Sequence, residues 1–277
     1  MIIWLASYPK SGNTLVRSIL TALIFTEDGN IDFGKLHRIS NFPAGPFFEK
    51  FTSDYGNIRK ISKYWVKVQE ELNQNKKLKF FKTHNSLCSI DGNPFTNNKN
   101  TIGAIYIVRD PRDIVISASQ YYSTPLEQTK NNMFNPHMDL INKYKGKPIA
   151  TFLGSWSNHY NSWTKNNKNI LLIKYENLIN NKEFEIRRIL EFVNKFTKLE
   201  VTESKLKKCI DSSSFINMQN MEKGGFFKEN SKDRAGNNIT FFNSGKKNRW
   251  GGILEDKTVK EIENKFRKEM KELGYIK

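Results

Sequence analysis

Apolar residues in this chain fall in short continuous runs that alternate with segments showing apolar residues at helical spacing. The opening run IIWLASYP is apolar almost to its end, which predicts a strand buried on both faces. NTLVRSILTALIF follows with Leu15, Ile19, Leu20 and Leu23 at helical intervals, so the chain opens as strand, loop and helix. KLKFFKTH predicts a second strand, with Leu78, Phe80 and Phe81 ahead of a polar end. TIGAIYIVRD is the clearest strand, continuous in apolar and β-branched residues, and it runs into DPRDIVISASQYY, where Asp110 can cap a helix that begins at Pro111. NILLIKYENL predicts a fourth strand with a polar end, again followed by a helix, EFEIRRILEFVN.

Strands without strict alternation, separated by helices, predict an α/β class: three layers, with a central parallel sheet flanked by helices. Ligands of such sheets bind at the carboxyl ends of the strands, where SYPKSGNT, KTH, RDPRD and KYENL all fall. Residues 124–147 and 221–243 are polar, rich in Asn and Gly and weakly periodic, and are read as long loops. VKEIENKFRKEMKEL places Val259, Ile262, Phe266, Met270 and Leu273 on one face and predicts a packing helix that stops at Gly274. No repeat or linker composition interrupts the chain, so residues 1–277 are expected to form a single domain.

Composition narrows the function. The 45 Lys and Arg against 28 Asp and Glu give a formal charge of +17, which favours anionic ligands. The lysines are dispersed among asparagines (NQNKKLK, NNKN, KNNKN, SKLKK) and match no nucleic-acid-binding pattern, so no nucleic-acid partner is expected and most of the lysines are read as a solvated surface. No run of some eighteen apolar residues and no secretory pattern is present, and a soluble, cytoplasmic protein is expected. Cys88 and Cys209 are far apart without CxxC spacing, which predicts reduced, structural thiols.

The loop SYPKSGNT sits between a strand and a helix, where unpaired N–H groups and the positive end of the helix dipole hold anions. Its lysine precedes its glycine, unlike GxxxxGK[ST], yet Lys10 can reach a phosphate held by Ser11, Gly12, Asn13 and Thr14, with Gly12 admitting close backbone approach. An ordinary turn capped by Ser or Asn is the alternative. Arg109 and, eight residues on, Ser117 straddle the first turns of the next helix and can clamp a second phosphate; equally, Arg109 can pair with Asp110 or Asp113. Lys82 and His84 lie two residues apart on an extended segment and so share a side, joining a charge-stabilising cation to a base suited to neutral pH.

These segments, with SSSFINM and SGKKNRWGG, occur in the order seen in cytosolic-type sulfotransferases, which the chain resembles from residue 4 to about 275. The resemblance implies 3′-phosphoadenosine 5′-phosphosulfate (PAPS) as cofactor, 3′-phosphoadenosine 5′-phosphate (PAP) as product, and no metal. It implies that Lys10 to Thr14 hold the 5′-phosphosulfate, with Lys10 at the bridging oxygen, and that Arg109 and Ser117 hold the 3′-phosphate. Tyr175, Ser213 and Phe215 would meet the adenine side with Met218 behind them; His84 would be the base and Lys82 the stabiliser of the sulfuryl oxygens. His159, in FLGSWSNHYNSW, is read as a brace. The family's Arg-Lys-Gly segment is here Asn243, Ser244 and Gly245, which leaves Lys246, Lys247 or Arg249 as alternatives at the 3′-phosphate. Leu15 stands where the animal enzymes often carry an aromatic residue.

The acceptor is expected to be a small molecule, a glycan or a lipid with a hydroxyl or amine. Loops 27–60, 85–98, 124–147 and 221–243 would shape its pocket, with Phe42, Phe47, Phe48, Tyr122, Phe226 and Phe227 as lining aromatics; the phenylalanines of FPAGPFFEKF have packing against the core as the alternative. Two other readings remain: an ATP- and magnesium-dependent P-loop kinase, for which Asp110 is the one tempting metal ligand, and a non-catalytic polyanion-binding module.

Overall fold

The structure is a computed structural model and describes residues 1–165, 169–227, 229, 231–232, 236, 238–242 and 250–277. Along the chain the elements that carry the argument are β1 (Ile2–Ser7), α1 (Asn13–Phe25), α2 (Trp65–Leu72), β2 (Lys79–Thr83), β3 (Thr101–Val108), α3 (Pro111–Tyr122), α4 (Leu126–Phe134), β4 (Asp139–Tyr144), β5 (Lys147–Phe152), α5 (Trp156–Lys165) and β6 (Ile170–Lys174). After them come α6 (Tyr175–Asn180), α7 (Lys182–Asn194), α8 (Glu203–Ser212), α9 (Phe215–Lys223), α10 (Asp256–Lys265) and α11 (Arg267–Glu272). They group into two compact units: Met1–Tyr8, Ile39–Val108 and Asn132–Leu172 form the first; Pro9–Arg38, Arg109–Asn131 and Ile173–Lys277 form the second.

The first unit is built on the predicted sheet. Strand order is β2-β1-β3-β6, and β1 pairs in parallel with both neighbours, Trp4 lying opposite Phe81 on one side and Ala104 on the other. Every residue of β1 is buried, which is why its sequence shows no alternation. Trp4 is fully buried, its ring 5.4 Å from Phe42, 5.1 Å from Phe95 and 6.0 Å from Phe81, and its indole N–H donates to Thr101 Oγ1 at 2.7 Å. Phe95 extends the cluster to Trp65 on α2 and Trp163 on α5. α5 itself packs against β1 and β3. Phe42 and Phe48 are fully buried here, so of their two readings packing is the one that holds.

The second unit packs α1 against the 3₁₀ turn Phe33–Arg38 and against α8, and α3 against α10. Phe33, Phe227 and Phe242 form an aromatic core with centroids 4.9–5.7 Å apart. Phe227 is thus a buried packing residue, whereas Phe226 is two-thirds exposed.

Three sequence expectations are corrected. Residues 124–147 are not a long loop: they contain α4 and most of the antiparallel hairpin β4–β5, in which Asp139 faces Phe152 and Tyr144 faces Lys147. The turn, Lys145-Gly146, has positive φ at both residues (48° and 76°), the mirror-image geometry of tight hairpins, reached with Lys in place of the usual Asn or Asp. Residues 221–243 begin as the end of α9 and include a short pairing of Ser231–Lys232 with Asn238–Ile239. The C-terminal helix breaks at Phe266 into α10 and α11, although Ile262, Phe266, Met270 and Leu273 are buried as the pattern requires.

Candidate functional site

In the second unit the segment Pro9–Thr14 carries the chain into α1. Lys10 (φ 66°) and Gly12 (φ 99°) both adopt left-handed backbone conformations. The cap position of α1 is Gly12 itself, with no side-chain cap and no acidic residue in the first turn. Ser11 is fully buried and, among the described residues, its hydroxyl has no hydrogen-bond partner. The alternative of an ordinary Ser- or Asn-capped turn therefore does not hold. An uncapped helix start carries roughly half a positive elementary charge, and a buried, unsatisfied hydroxyl beside it costs about 1–3 kcal/mol unless a ligand meets it. Both features are chemically suited to an anion.

Other residues fix this turn. A Cβ placed on Gly12 would lie 2.5 Å from Cδ2 of Tyr175, the buried first residue of α6. The Arg109 guanidinium lies over the same ring, 4.4 Å from its centroid, and Nη1 donates to the Lys10 carbonyl at 3.2 Å. Nη2 stands 3.9 Å from Asp113 Oδ2, so the Arg109–Asp113 pairing that the sequence left open is formed. Asp110 is committed to Arg112, with Nη2 to Oδ2 at 2.6 Å, and caps α3 as expected by accepting the Arg112 N–H. Gly12, Tyr175 and Arg109 thus make one stack that closes the loop.

The Lys10 ammonium sits 3.8 Å from the ring centroid of Tyr121 and 4.1 Å from that of Phe241, two rings set edge to face at 88°. Each contact contributes on the order of 1 kcal/mol. Neither aromatic is among the residues that the sequence singles out. Tyr121 was findable, because it lies one turn beyond Ser117 on α3 and so on the same face. Phe241 was not, since its position depends on Glu222, whose carboxylate accepts the N–H groups of Phe241 (2.6 Å) and Phe242 (2.9 Å).

Of the remaining expected cofactor residues, Asn13 and Thr14 are buried in the first turn of α1 and Ser117 is half-buried on α3. Ser213 is buried where α8 ends, its hydroxyl donating to the Ile210 carbonyl, and its own carbonyl accepts from Lys182 at 2.6 Å. Phe215 opens α9, half-buried, after the Ser214 cap, and Met218 is buried. Asn243, Ser244, Gly245, Lys246, Lys247 and Arg249 lie outside the described residues.

In the first unit Lys82 and His84 are half-buried on either side of the fully buried Thr83, the last residue of β2. The Lys82 main chain is held by Lys82 N–H to Ser40 O and Phe42 N–H to Lys82 O. His84 Nδ1 lies 2.7 Å from the Ser7 carbonyl and 3.3 Å from the Ser7 hydroxyl. A carbonyl only accepts, so Nδ1 carries the proton and Nε2 keeps its lone pair. That is the tautomer a base needs.

His159 is fully buried on α5; Nε2 lies 3.0 Å from the His84 carbonyl and Nδ1 lies 2.9 Å from the Tyr106 hydroxyl. Burial pulls its pKa down to about 4, the hydrogen bond to the His84 carbonyl opposing the shift. It remains neutral at working pH and braces the strand end rather than its own helix.

A family model described as the sulfotransferase domain matches residues 2–274. Over 219 residues the chain is 28% identical to sulfotransferase 1 family member D1 of Mus musculus, covering 78% of this chain and 65% of that protein. It thus spans slightly under two thirds of the length of that relative. The amine sulfotransferase of Oryctolagus cuniculus is 22% identical over 274 residues, covering 98% of this chain and 81% of its own. Among solved structures, mouse sulfotransferase SULT7A1 complexed with PAP superposes with a TM-score of 0.60 at 22% identity, over 97% of this chain and 84% of that one. Retinol dehydratase in complex with androsterone and inactive cofactor PAP gives 0.62 at 17% identity, over 98% and 80%. These structural likenesses show the fold: α/β with a parallel sheet.

Two outcomes are expected. Gly12→Ala, which combines a left-handed φ with a clash against Tyr175, should cost about 2–3 kcal/mol of unfolding free energy by urea titration. For His159 the folded pKa lies below the unfolded value, so its stability contribution is complete above pH 6.5 and is lost as pH falls toward 4. The loss amounts to about 3 kcal/mol, and the His159→Gln variant should lack that part of the slope.

Proposed function

The chain belongs to the sulfotransferase-domain family, and on that premise we propose that residues 1–277 act as one PAPS-dependent sulfotransferase domain. The observation that carries this reading is the uncapped start of α1 with Ser11's unsatisfied hydroxyl, closed by Arg109 and Tyr175. The residues fit the group: a buried hydroxyl, a helix start and two cations are donors suited to phosphate and sulfate oxygens, and the Gly12 turn leaves no room for a side chain. The neighbouring structures solved with PAP support the same cofactor.

In this reading Lys10, Ser11, Gly12, Asn13 and Thr14 hold the 5′-phosphosulfate. Arg109 and Ser117 hold the 3′-phosphate, with Gly245 and Lys246 in the segment that completes it. Tyr175, Ser213 and Phe215 flank the adenine. Bound PAPS supplies the sulfuryl group, and PAP is the product that leaves. His84 Nε2 takes the proton from the acceptor's hydroxyl or amine as the acceptor atom bonds to sulfur and the bond from sulfur to the bridging oxygen breaks. Lys10 and the α1 N-terminus neutralise charge on the leaving phosphate, while Lys82 does so at the sulfuryl oxygens. The Tyr121 and Phe241 rings flank the Lys10 ammonium through cation–π contacts.

The kinase reading loses its metal ligand, because the Asp110 carboxylate is already bonded to Arg112. The acceptor is proposed to be a small molecule with a hydroxyl or amine, as the androsterone-bound neighbour suggests, and the setting to be cytoplasmic. Among the described residues no helix is long and apolar enough to cross a membrane.

Transfer of label from PAPS to a panel of phenols, sterols, aliphatic alcohols and amines tests the proposal. At least one acceptor should be modified in a PAPS-dependent way, and His84→Ala should lower kcat by about 10²–10⁴-fold with PAP affinity within about twofold. Turnover at the wild-type rate in that variant would exclude His84 as the base.

A further inference from the structure

We propose that His159 and Tyr106 are positioning residues for sulfuryl transfer, orienting the His84 peptide so that the base keeps one tautomer and one aim. The inference rests on the reading of His84 as the base. Three hydrogen bonds in the first unit form a chain whose direction is fixed at both carbonyls. His159 Nε2 faces the His84 carbonyl at 3.0 Å, and a carbonyl can only accept, so Nε2 bears the proton. A neutral imidazole has one N–H, so Nδ1 is the acceptor for the Tyr106 hydroxyl at 2.9 Å. His84 in turn donates Nδ1–H to the Ser7 carbonyl at 2.7 Å. Donation therefore runs from Tyr106 to His159, from His159 to the His84 main chain, and from the His84 ring to Ser7.

Simple anchoring does not account for this arrangement. The main chain after His84 is already held by α5, with Trp163 Nε1 donating to the Asn85 carbonyl and the Ser162 hydroxyl accepting the Leu87 N–H, both at 3.0 Å. Asn85 and Ser86 are also bonded to Phe152 through the Asn85 carboxamide and the Ser86 N–H. An apolar residue at 159 would pack against the Tyr8 and Tyr106 rings, whose centroids are 5.6 and 5.7 Å away, without the desolvation cost of a fully buried imidazole and phenol. What the polar pair adds is directional: it fixes the plane of the peptide that carries the base, and a satisfied buried network of this kind specifies one geometry. Without the Tyr106 hydroxyl, the buried His159 Nδ1 lone pair loses its donor, the ring is no longer fixed against the His84 carbonyl, and the peptide that aims His84 at Ser7 is no longer held in one plane.

The test uses the full chain, PAPS and whichever acceptor the panel identifies. Tyr106→Phe should lower kcat by about tenfold, and His159→Phe by about a hundredfold, with acceptor KM and PAP affinity within twofold; His159→Gln, which keeps an N–H donor, should recover part of the loss. In ¹⁵N-histidine spectra, His84 should be one Nδ1–H tautomer in the wild type and a mixture in Tyr106→Phe, a change that loss of packing alone would not produce. Urea midpoints identify variants that fail to fold, and the near-isosteric Tyr106→Phe carries the test if His159→Phe is among them. If His84→Ala abolishes turnover while folded Tyr106→Phe keeps the wild-type kcat and a single His84 tautomer, the positioning role is overturned. If His84→Ala itself turns over normally, the base reading fails, and this inference fails with it.

Discussion

Backbone N–H groups at a helix start need acceptors, and at the start of α1 the cap position is Gly12, which has no side chain to provide one. The turn that leads there is held in a conformation few sequences tolerate, with left-handed Lys10 and Gly12 and the Tyr175 ring filling the space a Cβ would take. Much of the second unit follows from that requirement. Arg109 must lie across Tyr175 to reach the Lys10 carbonyl, α6 must begin at Tyr175, and Tyr121 and Phe241 must flank the Lys10 ammonium. A loop shaped by so many partners, with the buried Ser11 hydroxyl left unsatisfied, is the basis of the proposed anion site.

The first unit answers a different need. Acid–base work near neutral pH requires an imidazole of known tautomer at a fixed position. His84 follows β2, which ends at the buried Thr83, and the Ser7 carbonyl at the end of β1 selects its tautomer. Parallel pairing of β1 with β2 brings those two strand ends side by side. Through His159, α5 reaches the same peptide.

The sequence made the sheet legible because β1 and β3 are buried on both faces and therefore read as unbroken apolar runs. The β4–β5 hairpin was hidden for another reason: β4 is exposed or half-buried along its length, β5 buries three consecutive residues, so no alternation marks either, and the Lys145-Gly146 turn lacks the Asn or Asp that usually signals one. Lys10, Gly12, Arg109 and His84 were legible from their places at strand ends. The Arg109–Asp113 pairing was one of two the sequence left open, but Phe241 and Tyr106 lie far from those residues in sequence or on faces that periodicity does not single out, and what each contributes is a contact rather than a motif.

Calorimetric titration with PAP, and with AMP as the control, bears most directly on the central claim that the start of α1 and Arg109 together bind a 3′-phosphorylated nucleotide. The account predicts that PAP binds at least about a hundredfold more tightly than AMP, a difference of roughly 3 kcal/mol, and that Arg109→Ala removes that preference. Equal affinity for the two nucleotides, or no binding of either, would contradict it.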